Sequence, residues 1–148
     1  MGPWARRLAA GRAQCQQTPS RRFSNWARRT KVTTIKDAVE DLLNHQRFTV
    51  DEAVDRHFSP TFRQRTNGRW DDRAGFLARI VLLREAVERA TITVLDELAD
   101  ADRYAERHVI QQVKRDGERI VQEVYVFAQR DPDGRFTWIE EATMMLER

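Results

Sequence analysis

Apolar side chains recur every three to four positions in three stretches after Thr33, which is the spacing of one buried helix face. The first stretch reads TTIKDAVEDLLNHQ, and Thr33 or Thr34 is its candidate N-cap. The second, FTVDEAVDRHFSP, begins with a capping-box pair, Thr49 and Glu52, and is expected to end at Pro60. The third, DRAGFLARIVLLREAVE, has the longest apolar stripe. The pattern therefore predicts three helices.

After Glu88 the pattern changes to alternating apolar and polar residues, which is typical of strands. RATITVLDELA is rich in β-branched residues, and three long strands follow, joined by turns at Asp116-Gly117 and Asp133-Gly134. Between the second and third helices, TFRQRTNGRWDD predicts only a short extended piece with a turn at Asn67-Gly68. Three N-terminal helices followed by four strands indicate an α+β domain, with the helices packed on one face of a curved antiparallel sheet.

The composition fits one globular domain and gives no indication of a metal or a cofactor. The chain has 148 residues, of which 41% are hydrophobic and 33% charged, as in ordinary soluble proteins. No apolar run approaches the ~20 residues that a membrane-spanning helix needs. Cys15 is the single cysteine, so neither an intrachain disulfide nor a cysteine-based metal site can form. The spacings of His45, His57 and His108 match no zinc motif. We therefore expect no cofactor and no bound metal.

The charge is distributed unevenly along the chain. Residues 1–36 contain nine Lys or Arg and no Asp or Glu, whereas residues 37–148 contain 17 basic and 23 acidic residues, a net charge of −6. An acidic body argues against nucleic-acid binding by the folded part. We expect residues 1–32 to be a disordered basic leader and residues 33–148 to be the domain. The leader is expected to be an idle tail, an organellar transit peptide, the product of an over-long translation start or, as a minor alternative, a segment that binds RNA or anionic lipid. The expected compartment is the cytoplasm, or an organelle if the leader is a transit peptide.

The order of elements, with four particular segments, resembles the SnoaL-like group of the nuclear transport factor 2-like superfamily over about residues 34–147. The segments are VDRHFSPTFRQRTNG, DRAGFLARIVLLREAVERATITV, DELADADRYAERH and DGRFTWIEEATMML. The resemblance implies a cone-shaped α+β fold, a pocket between sheet and helices, and dimerisation through the sheet. Similar proteins include polyketide cyclases, ketosteroid isomerases, limonene epoxide hydrolases and members without a known reaction, so the fold alone does not define the function.

The last predicted strand has two adjacent carboxylates, Glu140 and Glu141, and alternation directs only one of them towards the helices. The resemblance implies that the pocket carboxylate follows the Gly of the final turn by seven residues, which is Glu141. Ile139 and Glu141 then line the pocket, and Glu140 faces outward. Relatives carry Asp at this position, so Glu141 is a departure that extends the side chain by one methylene.

His108 is the candidate partner of Glu141. Alternation puts Tyr104, Glu106 and His108 on one face of their strand. The epoxide hydrolases carry an Arg and then an Asp at the positions of His108 and Ile110, so their three-residue water-activating cluster is incomplete and that reaction is not expected. A His108–Glu141 pair would raise the pKa of His108 and suit it for acid–base catalysis, or it would be a purely structural contact. The candidates for ligand binding are Arg65, Tyr104, Glu106, Glu123, Tyr125 and Ile139. Glu123 and Tyr125 share one face of their strand, and the pattern does not fix whether that face is the inner one.

From these observations we expect a SnoaL-like protein that binds a small apolar molecule, such as a polyketide-, terpenoid- or steroid-like compound. Any reaction would be a proton transfer without a cofactor: isomerisation, aldol-type cyclisation or hydration. Glu141 would be the base, with His108 as its partner. The alternative is a non-catalytic homodimeric ligand-binding or interaction domain with a vestigial pocket. A cavity of about 300 Å³ or more favours the first hypothesis over the second.

Overall fold

The computed structural model describes residues 32–147, so the expected leader lies almost wholly outside the described part. Helix α1 (Ile35–Val39) continues directly into a π-helical turn (Glu40–Asn44) and is followed by α2 (Val50–His57) and α3 (Arg73–Ala86). The strands are β1 (Phe58–Thr66), β2 (Arg69–Asp72), β3 (Val87–Asp100), β4 (Arg103–Lys114), β5 (Arg119–Arg130) and β6 (Phe136–Glu147). No helix in this part of the chain is long and apolar enough to cross a membrane.

Side chains predicted as N-caps accept hydrogen bonds from backbone N–H groups in the first turns of the helices. Thr34, the second of the two candidates, accepts the N–H of Asp37 at the start of α1. Thr49 and Glu52 form the expected capping box of α2, and Asp72 caps α3. Each cap satisfies a backbone N–H that would otherwise have no partner in the helix.

The six strands form one mixed sheet in the order β2-β1-β6-β5-β4-β3, because β1 runs parallel to β6. The expectation of a purely antiparallel sheet after three N-terminal helices was therefore wrong in two respects. A β1–β2 hairpin separates α2 from α3, and its turn uses the positive φ angles of Asn67 and Gly68. The Asn-Gly turn was visible in the sequence. Before this turn the sequence predicted a short extended piece but not the full strand β1, because Pro60 and the irregular pairing between Phe58 and Arg63 interrupt its alternation.

A β-bulge at Thr137 determines which side chains of the last strand, β6, point to the inner face of the sheet. Gln129 pairs with Trp138 and Arg130 pairs with Phe136, so Thr137 is an extra residue on β6. As a result Phe136 and Ile139, which are three residues apart, are both buried on the inner face. From Trp138 to Met145 the pairing with β5 is regular, so the bulge fixes which residues of this segment point towards the helices.

The core lies between the helices and the inner face of the sheet. Three phenylalanines, Phe58, Phe62 and Phe76, are in mutual contact there, with ring centroids 4.6–4.9 Å apart. All three are at most 5% exposed. They join β1 to α3 and close one end of the space between the layers.

Candidate functional site

A cavity of about 370 Å³ lies between the helices and the inner face of the sheet. Apolar side chains of α1, the π-helical turn and α3 line one side, and residues of β1, β4, β5 and β6 line the other. The polar lining residues are Gln64, Thr66, Asn67, Arg79, Gln112, Gln122, Glu141 and Thr143. This volume is in the range of small-molecule pockets.

Glu141 lines the cavity, whereas Glu140 does not. The Oε1 atom of Glu141 accepts a hydrogen bond of 2.9 Å from the hydroxyl of Thr66 on β1. Glu140 points to the outer face, where it pairs with Arg65 at 3.3 Å, and both side chains are more than 40% exposed. Alternation along β6 thus separates the two carboxylates as the sequence predicted. Ile139, two residues before Glu141, is buried and also lines the cavity.

The expected pairing of His108 with Glu141 is not formed. Strand β5 lies between β4 and β6, so the backbones that carry the two residues are about 10 Å apart. They are also offset along the sheet: His108 shares a row with Thr143, and Glu141 shares a row with Glu106. Neither His108 nor Glu106 is among the residues that line the cavity. The strand order, which alternation within a strand cannot give, causes this difference.

His108 instead belongs to a buried cluster with Glu106 and Tyr104. Its Nδ1 atom is 2.6 Å from Oε1 of Glu106, an ion-pair contact without hydrogen-bond geometry. The hydroxyl of Tyr104 donates to the other carboxylate oxygen of Glu106. Burial raises the pKa of Tyr104, and the bond to Glu106 raises that pKa further, so the hydroxyl remains protonated. The cluster joins neighbouring positions of β4 and lies next to the cavity rather than in it.

Arg130 covers this cluster and connects it to the start of the domain. Its guanidinium stacks on the ring of Tyr104 at 4.3 Å and donates two hydrogen bonds to the backbone oxygen of Thr33. Burial lowers the pKa of Arg130, against the opposing effect of the neighbouring Tyr104 and of two glutamates, Glu97 and Glu106. Sequence reasoning did not identify this residue, because its partners come from distant segments.

The other three predicted ligand-binding residues lie away from the cavity. Tyr125 donates to Glu123 at 3.0 Å on the outer face of β5, where Arg107 also contacts Glu123 at 3.3 Å. Arg65 lies on the outer face of β1 with Glu140. Even-numbered residues of β5, and of β1 from Phe62 to Thr66, face inward. The odd-numbered residues of these segments therefore point away from the cavity.

Seven polar residues of the cavity were not among the predicted site residues: Gln64, Thr66, Asn67, Arg79, Gln112, Gln122 and Thr143. Gln112 shares its strand face with His108, so alternation contained the signal for it. Gln64 is adjacent to the predicted Arg65, but its side chain points to the opposite face of β1. Arg79 donates to Asp71 and, at 3.2 Å, to Gln64, and only the folded chain brings these three residues together.

A second polar cluster lies at the outer end of the helices, next to an open cavity of about 430 Å³. His57 bridges Thr33, on its Nδ1 side, and Asp41, whose Oδ2 is 2.8 Å from Nε2. Arg47 and Arg56 also donate to Asp41, at 3.0 and 3.3 Å. Burial alone would raise the pKa of Asp41, but these bonds outweigh it and lower the pKa to about 2. Among residues 32–147, no group of three His, Cys, Asp or Glu side chains is arranged to hold a metal ion.

Comparisons with known proteins give matches of structure only. No protein-family profile and no curated protein sequence matches the chain. A Rhodopseudomonas palustris protein provisionally assigned as an isomerase superposes with a TM-score of 0.60 at 13% identity, covering 72% of this chain and 83% of that one. IdmH of Streptomyces antibioticus, provisionally assigned as a polyketide cyclase, gives 0.55 at 17% identity over 74% and 86%. A nuclear transport factor 2-like protein of unknown function from Exiguobacterium gives 0.56 at 17% identity over 76% and 98%.

Proposed function

We propose, from the nuclear transport factor 2-like fold that this chain shares with SnoaL-like proteins, that the inner cavity binds a small apolar molecule. The observation that supports this proposal is the cavity of about 370 Å³, with apolar helices on one side and a carboxylate on the other. A vestigial pocket would be filled by side chains. The cone shape implied by the resemblance is part of the proposal, because a curved sheet leaves space beneath the helices.

Glu141 is the proposed acid–base residue. Thr66 holds one of its carboxylate oxygens, which leaves the other oxygen available to a ligand. In an isomerisation or cyclisation, this oxygen would take a proton from the carbon next to a carbonyl group and return it at another atom. The proposed reaction is therefore proton transfer without a cofactor. Ile139, next to the carboxylate on the cavity wall, would pack against the apolar part of the ligand.

His108 and Glu106 would act as positioning residues in this proposal. They are almost fully buried on the inner face, two strands from Glu141. Glu106 lies in the same row as Glu141, and His108 lies in the next inward-facing row. Their contact fixes the packing of β4 beside the cavity. The non-catalytic alternative keeps the same cavity as a binding site and assigns Glu141 only a role in ligand recognition.

Binding is tested with a neutral fluorescent dye such as Nile red. We expect saturable binding to the native chain and loss of binding in Ile110→Trp, which fills the cavity from β4. The matched control is Leu82→Trp, because Leu82 is 66% exposed on α3 and does not line the cavity. Equal binding by native protein and Ile110→Trp would assign the dye to another surface and contradict the proposal.

Proton transfer is tested with β-tetralone, whose carbon-bound protons next to the carbonyl exchange with solvent. In D₂O we expect the protein to accelerate deuterium incorporation, followed by NMR, and Glu141→Gln to reduce the protein-dependent rate by roughly 10²-fold or more. Glu140→Gln should retain the native rate. If β-tetralone displaces the dye but exchanges no faster than in buffer, the non-catalytic alternative is correct.

We further propose a homodimer through the outer face of the sheet. Tyr125, Phe127 and Met144 are 43%, 66% and 48% exposed on the strands of this face. Register puts Tyr125 and Phe127 beside Ala142 and Ala105, so the exposed apolar side chains adjoin small residues that a partner can approach closely. These exposed apolar side chains, next to the ion pairs Arg65–Glu140 and Arg107–Glu123, form the surface that we propose joins the two copies.

The proposed compartment is the cytoplasm, with an organelle as the alternative if residues 1–32 are a transit peptide. A fluorescent protein fused after residue 32 distinguishes the two. Diffuse fluorescence supports the cytoplasm, whereas fluorescence confined to an organelle supports import.

A further inference from the structure

Two charged side chains line the inner cavity, Arg79 and Glu141, and they have different partners. Arg79 donates to the carboxylate of Asp71 and to the amide oxygen of Gln64 at 3.2 Å, so its charge is already compensated. Glu141 receives a hydrogen bond from Thr66, a neutral hydroxyl. Within the described part of the chain, no Lys, Arg or His forms an ion pair with Glu141.

Arg65 is the nearby arginine of β1, but it is not available to Glu141. Its side chain lies on the opposite face of the sheet and pairs with Glu140. The strand geometry keeps the faces apart, since residues 65 and 140 are both one position away from the inward-facing Thr66 and Glu141. The cavity therefore contains one carboxylate whose negative charge the protein does not neutralise by direct contact.

The remaining polar residues of the cavity cannot neutralise the negative charge of an anionic ligand either. Gln112 and Gln122 are diagonal neighbours on β4 and β5, and their side-chain amides make no hydrogen bond to another described residue. Asn67 and Thr143 are bonded to each other at 2.8 and 2.9 Å. Amides and hydroxyls are neutral, so a ligand carboxylate in this cavity would meet Glu141 without a free cation.

We infer that the cavity selects an apolar ligand carrying a hydrogen-bond donor, a protonated amine or a hydroxyl, directed at Glu141, and rejects the same apolar body carrying a carboxylate. The inference rests on the proposed binding function of this cavity. An amine supplies both a donor and the missing positive charge, so it binds more tightly than an alcohol of the same shape. A carboxylate supplies neither and adds like-charge repulsion, which is how a site discriminates against a ligand.

The test uses three probes with one rigid apolar cage: 1-adamantanamine, 1-adamantanol and 1-adamantanecarboxylate. Their dissociation constants are measured by displacement of the neutral dye and by calorimetry at pH 7. We expect the amine to bind at least ten times more tightly than the carboxylate, with the alcohol between them. In Glu141→Gln the amine should lose about ten-fold in affinity and the alcohol less than three-fold, while Glu140→Gln should preserve the native order.

The outcomes separate the inference from the proposed function. If all three probes bind equally, or if Glu141→Gln leaves their order unchanged, the inference is wrong and the binding function stands. If the dye binds in the cavity but neither the amine nor the alcohol displaces it, the inference is also wrong. If neither the dye nor any probe binds, the binding function itself fails and the inference fails with it.

Discussion

At the scale of single residues, Asp41 makes the stability of the fold depend on pH. Burial would raise its pKa, but bonds from His57, Arg47 and Arg56 lower it from 3.8 to about 2. A folded-state pKa below the unfolded value means that the stabilisation is complete above about pH 4 and is lost as the pH falls towards 2. We expect Asp41→Asn to lower the free energy of unfolding by about 2 kcal/mol at pH 6. Urea unfolding from pH 6 to pH 2 measures this.

The difference between native protein and Asp41→Asn should shrink towards zero near pH 2. The control is Asp51→Asn, because Asp51 is exposed in the first turn of α2, and its loss should cost only a few tenths of a kcal/mol. A difference that stays constant over the whole pH range would show that the shape of Asp41, not its charge, stabilises the fold.

For single residues, sequence-based predictions were correct where the direction of a side chain depends on one strand alone. Alternation separated Glu141 from Glu140, because it depends only on neighbours along the chain. It failed for His108, whose partner depends on which strand lies between β4 and β6. It failed for Arg65 and Tyr125, because an error of one position in facing moves a side chain to the other side of the sheet.

At the scale of elements, the bulge at Thr137 decides which side chains of β6 reach the core. Deleting Thr137 removes the extra residue and leaves Phe136 and Ile139 two positions apart, so a regular strand still directs both to the inner face. We therefore expect the deletion to lower the free energy of unfolding by only about 1 kcal/mol, because little beyond the hydrogen bond of Thr137 is lost. Denaturant unfolding of the purified variant measures it.

Thr137→Ala is the matched control, since it keeps the number of residues and loses one side-chain hydrogen bond to the backbone of Gln129. That bond contributes about 1 kcal/mol. A cost of about 3–5 kcal/mol, typical of removing a large side chain from a core, would contradict this account, because it would mean that Phe136 or Ile139 had left the inner face.

The helices were predictable because each begins with a capping side chain and shows its own apolar stripe. The antiparallel strands β3 to β6 were predictable for a similar local reason, since Asp-Gly turns mark two of their connections. The parallel pairing of β1 with β6 was not predictable, although a short extended piece was expected there, because the two strands lie some seventy residues apart and no local pattern indicates a parallel pairing.

At the scale of the whole molecule, the outer face of the sheet is expected to join two copies of the chain. Light scattering at micromolar concentration should give twice the mass of the chain for the native protein. Phe127→Asp should shift it to the monomer mass, because a charge in the middle of the patch would be buried without a partner. Leu82→Asp is the control, as Leu82 is equally exposed, at 66%, on α3. A native monomer would contradict the proposed dimer.

The described part of the chain should fold without residues 1–31. The core cluster runs from Ala38 to Ile139, and residues 1–31 contain eight Lys or Arg and no Asp or Glu. We expect a chain beginning at Val32 to keep its melting temperature within about 2 °C and its oligomeric state, because the sequence predicts a disordered basic leader outside the core. Differential scanning calorimetry of both chains measures this. A much lower melting temperature would show that the leader contributes to the core.

The parallel pairing of β1 with β6 also fixes the time at which the cavity can close when the protein is made. A ribosome completes Thr66 seventy residues before it reaches Phe136, and at 5–20 residues per second that is a wait of roughly 4 to 14 s. Throughout that interval β1 has an open edge and Glu141, the future partner of Thr66, does not yet exist. During synthesis the chain can therefore form its helices and the β1–β2 hairpin before it can bind a ligand. The cavity can bind a ligand only after β6 has been synthesised.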